Sequence, residues 1–149
     1  MNINLLDDAL HALNRAAAQA ALQGLEAVEP IHILAGVLSE GAAALEETLG
    51  RLGVSPADVS PELLDAPATY EGHLPYASPS HDVLTVAVDS ATDWGHEGVT
   101  SLHLLHGLIQ TRDGEVARAL AVWDLDGDRL AEEIQRAAPQ TASSDSPAD

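Results

Sequence analysis

The chain of 149 residues has no cysteine, no phenylalanine and no lysine. Without cysteine there are no disulfides, thiolate metal sites or thiol nucleophiles. All six basic residues are arginines: Arg15, Arg51, Arg112, Arg118, Arg129 and Arg136. Schiff-base chemistry and the lysine of a phosphate-binding loop are therefore missing as well. Aromatic residues make up 3% of the chain against 46% hydrophobic, so the core must be built from Ala, Leu, Val and Ile, a vocabulary that favours helices over strands. No apolar run approaches the roughly 18–20 residues of a membrane helix. Met1-Asn2-Ile3-Asn4 is not the basic, then apolar, start of a signal peptide. A cytoplasmic location is the expectation. Positive charge is scarce too: six basic residues stand against 24 acidic ones, a net charge of −18. That balance argues against nucleic acid, whose backbone must be neutralised by Lys and Arg, and against anionic membrane surfaces. Basic partners remain, or high solubility alone.

What is present is a repeat. With His32 set against His103, an offset of 71 positions, matches run without a gap. Leu13 meets Leu84, Ala16 meets Ala87 and Ala20 meets Ala91. Gly24, Glu26 and Val28 fall on Gly95, Glu97 and Val99, and Leu34, Gly36 and Leu49 on Leu105, Gly107 and Leu120. Such a register is the mark of a tandem duplication.

Each copy reads as four helices, giving an all-α fold of about eight. In the first, helical spacing of Leu6, Leu10, Leu13, Ala17 and Ala20 predicts a helix over 4–23 that Gly24 stops. A second opens at Pro30 and runs to about Ser39. A third covers about 42–52, and Ser55-Pro56 caps a fourth reaching about Asp65. The second copy predicts helices over 80–94, 101–111, 115–123 and 126–137. Between the copies, 66–79 holds Pro67, Gly72, Pro75 and Pro79 and reads as a linker. The acidic tail 138–149 is expected to be disordered. Four short helices bury little alone, so the halves should share one core about a pseudo-twofold axis, with a groove lined by both first helices.

Val28-Glu29-Pro30-Ile31-His32-Ile33-Leu34-Ala35-Gly36 and its second copy, Val99 to Gly107, resemble the hallmark stretch of the N-domain repeats of Clp (Hsp100) unfoldases. Gly72-His73-Leu74-Pro75-Tyr76 resembles the family's linker between repeats. The likeness covers residues 4–137. It implies a domain that receives substrates and adaptor proteins, here read as a stand-alone copy: no Gly-x-x-x-x-Gly-Lys-[Ser/Thr] loop occurs, so no ATPase motor is present. The family commonly has Glu before the repeat histidine, where it helps some members hold phosphorylated arginine. Ile31 and Leu102 stand there instead, and that activity is not carried over. His73 and Tyr76 match linker positions that line a ligand groove in some relatives. Asn14 and Ala17 on the first helix and Asp89 and Asp93 on its counterpart complete the candidate groove, whose acids favour basic or amphipathic peptides.

Other constellations have plainer readings. His32 and His103, with Gly36 and Gly107, are expected to be structural: partly buried imidazoles bonded near a helix start, in separate bundles and too few for zinc. His103 and His106 are three apart and could share a metal only weakly. Glu46-Glu47 and Glu132-Glu133 read as solvated faces. Ser80, beside Ser78 and His81, reads as a helix N-cap, since no nucleophile elbow surrounds it. Trp94 and Trp123 fall at helix ends and are expected to pack the second repeat. No catalytic residue, cofactor or metal is expected. The expected function is a protein- or peptide-binding adaptor, regulator or decoy for a Clp-type protease, monomeric, with Clp components or their substrates as partners. The alternative is a domain that sequesters a peptide or small-molecule toxin.

Overall fold

In a computed structural model of the chain, the structure describes residues 5, 7–40, 43–55, 74–96, 98–111, 114–123 and 127–137. Helix α1 spans Asp7–Leu22, α2 Pro30–Glu40, α3 Ala43–Arg51, α4 Ser78–Asp93, α5 Ser101–Thr111, α6 Gly114–Leu120 and α7 Gly127–Ala137; a 3-10 turn, Ala121–Trp123, follows α6. No strand occurs among the described residues beyond two isolated bridges. The helix expected over 55–65, most of the linker and the tail lie outside the described residues. No helix among them is long and apolar enough to cross a membrane.

Helices α2 and α5 form the centre. Nearly all of Pro30–Leu38 and all of Ser101–Leu108 are buried. Helix α1 packs on α2, α4 packs on α5, and the two central helices pack on each other. Side chains from both repeats make one hydrophobic cluster, with Ile33, Leu34, Leu45, Leu49, Leu104, Leu105 and Leu108 fully enclosed. Each such side chain contributes about 1.5–3 kcal/mol by leaving water, and neither half assembles the whole cluster by itself. The halves share a core, as expected.

Local features recur at the offset of 71. Gly24 and Gly95 hold positive φ, 77° and 73°, and the next residues close the same cap: Leu25 N–H donates to Ala20 O at 3.0 Å and His96 N–H to Ala91 O at 2.8 Å. This is the six-to-one bond that ends helices at a left-handed residue. The two bridges are Leu5 with Val99 and Val28 with Tyr76. Each joins the lead-in of one repeat's first helix to the turn before the other repeat's second helix.

Four expectations need correcting. Helix α4 begins at Ser78, earlier than Ser80, because Pro79 sits in its first turn, where a missing N–H costs nothing. Ser80 is accordingly not the N-cap; Ala77 is. The Ser80 hydroxyl is buried and donates to Val28 O at 2.6 Å, pinning α4 to the opposite repeat. Ser80→Ala should lower stability by about 1 kcal/mol, measured as a shift in urea midpoint; an unchanged midpoint would make that bond dispensable. Leu10, assigned to the apolar stripe of α1, is 47% exposed. The buried stripe is Ala9, Ala12, Leu13, Ala16 and Ala20, since α2 lies so close that a Cβ on Gly36 would strike the backbone of Ala12 and Ala16. At Ala12 and Ala16, where Gly36 approaches, only small residues fit. Trp123, buried in the second repeat, also reaches back to the first: its indole N–H donates to Ser55 O at 2.8 Å. Of the paired carboxylates, Glu46, Glu47 and Glu132 are exposed as expected, whereas Glu133 is half-buried.

Candidate ligand face and the histidine cluster

The repeat histidines are fully buried, not partly, at 2% exposure for His32 and 0% for His103. Each completes a helix start. Glu29 N–H donates to His32 Nδ1 at 2.9 Å, and Thr100 N–H donates to His103 Nδ1 at the same distance. In the second repeat the cap is reciprocal, because Leu102 N–H donates to Thr100 Oγ1 at 3.2 Å. This is a capping box in which imidazole takes the place of Glu or Gln. Both histidines thus bond a backbone N–H at the start of a central helix.

The remaining ring nitrogen distinguishes the repeats. His32 Nε2 lies 3.0 Å from Gln23 Oε1, whereas His103 Nε2 lies 2.8 Å from His96 Nδ1. His106, one turn along α5, sits 3.2 Å from Ser90 Oγ through Nδ1 and 3.2 Å from the Gln110 amide nitrogen through Nε2. Trp94 packs among all three, its ring centroid 5.8 Å from His96, 5.9 Å from His103 and 5.1 Å from His106. Burial lowers the pKa of His96. It lowers that of His106 too, partly opposed by the Asp128 carboxylate. For His103, burial, aided by its two imidazole neighbours, brings the pKa to about 4. Among the described residues no group of three His, Asp or Glu is placed to hold a metal ion. Ser90 and His106 are both buried, and the Trp94 ring packs on that of His106.

The candidate groove residues fall on three elements. Tyr76 is half-buried, held by the bridge to Val28, in which Val28 N–H donates to Pro75 O and Ala77 N–H to Val28 O, both at 2.9 Å. Its ring meets His81 edge-on at 6.1 Å, and burial raises its hydroxyl pKa. Asn14 is exposed and Ala17 half-buried on α1; Asp89 and Asp93 are exposed on α4. His73 lies outside the described residues. Leu10 shares a helix face with Asn14 and Ala17 by its spacing of four and seven, which adds an exposed apolar side chain that pattern reading had placed inside. Leu22 and Leu25, 71% and 44% exposed, extend apolar surface at the far end of α1. A leucine on the flank of a helix whose seam is alanine is the signal that could have found Leu10.

Solved structures share this arrangement. The N-terminal domain of Hsp104 from Candida albicans matches with a TM-score of 0.66 and 18% identity, over 87% of this chain and 88% of that one. The N-terminal domain of the chaperone ClpD from Arabidopsis thaliana matches at 0.62 and 16%, over 94% and 95%. A chain from structural work on a malarial protein secretion system matches at 0.75 and 20%, over 93% and 97%. In sequence, the chain is 28% identical over 115 residues to an ATP-dependent Clp protease ATP-binding subunit ClpA homolog of Guillardia theta, covering 74% of this chain but 14% of that protein. The profile for the Clp repeat (R) N-terminal domain matches residues 75–149. That span opens beside Tyr76 and contains the histidine-capped helix α5, so on sequence as well as on fold the chain belongs to the Clp repeat N-terminal domain family.

Proposed function

We propose that the chain is a non-catalytic binding module that takes basic or amphipathic peptide segments, from adaptor proteins or substrates of a Clp-type ATPase, on the face formed by Leu10, Asn14 and Ala17 of α1 with Tyr76, Asp89 and Asp93. The observation that carries this reading is the exposure of Leu10 on a helix whose other outward positions there are small or polar. An apolar foothold with carboxylates elsewhere on the same candidate face suits a segment that alternates apolar and basic residues. The net charge of −18 adds long-range attraction for such a segment. In this reading the domain acts as an adaptor, competitor or decoy for such an ATPase.

Two measurements test it. An amphipathic basic peptide at 100-fold its Kd should stabilise the chain by about 2.7 kcal/mol, seen as a rise in Tm. Leu10→Asp, at an exposed site where folding changes by within about 0.5 kcal/mol, should weaken that peptide at least tenfold, and Tyr76→Ala should do the same. Undiminished binding in both variants would place the site elsewhere. Pull-down of purified Clp ATPase and adaptor proteins separates the roles: binding of peptide with no Clp component retained favours a sequestering domain, and retention of neither sinks the proposal.

A further inference from the structure

We propose that His96 and His103 form a one-proton joint that keeps the α4–α5 connection closed while both rings are neutral and opens it when a further proton arrives. Thr100 N–H is a fixed donor and points at His103 Nδ1 from 2.9 Å, so that nitrogen carries a lone pair and the ring's proton sits on Nε2. Nε2–H then donates to His96 Nδ1 at 2.8 Å, which in turn places the proton of His96 on its own Nε2. That last atom is buried and has no hydrogen-bond partner. All four ring nitrogens are now assigned. A third proton has only the two Nδ1 positions to enter. At His103 it meets Thr100 Oγ1, 3.0 Å away, which can accept it; at His96 it turns an acceptor into a donor facing the donor His103 Nε2–H. Protonation of His96 therefore breaks the bond between the rings.

The first repeat has no such joint. There the proton on His32 Nε2 meets the carboxamide oxygen of Gln23, an acceptor that stays neutral across this range. At the offset of 71, His96 stands where the first repeat has exposed Leu25. The pair is thus a device of one half only. Trp94, packed edge-on against His96 and tilted over His103, loses a neighbour when His96 leaves, so opening uncovers an indole.

Among the described residues, the titratable and charged groups on the pair's own and neighbouring elements are these. His106 on α5 lies under the same tryptophan, and its own charge is favoured by Asp128 of α7. On α4 the carboxylates Asp89 and Asp93 are exposed. Between α1 and α2, Arg15 pairs with Glu40 at 2.8 Å and His11 Nδ1 lies 3.2 Å from the same carboxylate. On α3, Arg51 pairs with Glu47 at 3.7 Å, and Arg118 of α6 is exposed. Burial lowers the affinity of all three histidines for protons, which places opening on the acid side of neutrality.

The test is amide hydrogen exchange by NMR on the whole chain, with rates corrected for intrinsic pH dependence, between pH 7.5 and 5. Protection across Gly95–Thr100 should fall at least tenfold as pH drops, while Gly24–Glu29, the matching turn of the first repeat, keeps its protection. His96→Asn, whose Oδ1 takes the place of Nδ1 as an acceptor that does not titrate, should abolish the step. His96→Gln provides a second variant with the acceptor chemistry of Gln23. Protection in the wild type that does not change with pH, or a step that survives in both variants, overturns the proposal.

Discussion

Gly36→Ala should destabilise the chain by about 3 kcal/mol or more, the upper range for overpacking, and lower Tm by roughly 10 °C for a domain of this size. The added methyl meets backbone, not a mobile side chain. At Gly36 it collides with Ala12 O and approaches Ala16 N at 3.0 Å, and at Gly107 it would lie 2.5 Å from Val83 O. Relief requires α1 to move off α2, or α4 off α5, and each shift opens the core along a whole helix. Gly107→Ala should cost a comparable amount. Gly50→Ala is the control, since nothing lies within 4 Å of its added carbon and alanine is favoured over glycine in a helix by about 0.5–1 kcal/mol. Chemical denaturation of the three variants decides the matter. If Gly36→Ala unfolds at the wild-type midpoint, the seam is wider than described and the alanine stripe of α1 loses its explanation.

Acidification provides the second large effect. The pKa of buried His103 falls from 6.5 to about 4 on folding, so between those values the unfolded chain binds more protons than the folded one. Stability is then at its full value above about pH 6.5 and declines as pH falls toward 4, by roughly 3 kcal/mol in all. The 24 acidic residues titrate in wild type and variant alike, so the informative quantity is the difference between two pH profiles. His103→Gln retains a capping-box acceptor for Thr100 N–H but not the titration. Its urea midpoint should be lower at pH 7 and fall less steeply on acidification. Parallel profiles would show that His103 does not couple to folding.

Much of this architecture was legible in the sequence because glycine and histidine recur where geometry leaves no choice. Gly24 and Gly95 mark left-handed helix ends, Gly36 and Gly107 mark a close helix approach, and His32 and His103 cap the central helices. The same reasoning placed Leu10 inside, because hydrophobic periodicity weights leucine over alanine. What decided the burial was the gap left by Gly36 on another helix, a distance no local pattern carries. His96 escaped notice for a different reason. The repeat register carries what the halves share, and His96 has a leucine as its counterpart, so the ring that bonds buried His103 fell among the mismatches. Of the candidate groove positions, Asn14, Asp89 and Asp93 are exposed and Ala17 is half-buried. Their common role as a binding face rests on the peptide experiments.

The two bridges have a consequence for engineering. Each half lends its leading segment to the other and borrows one back, which is how swapped subunits of an intertwined pair are joined. Either half cut away from the other would leave both its lending and its borrowing edge bare. Held in one chain, the exchange is intramolecular and does not depend on concentration.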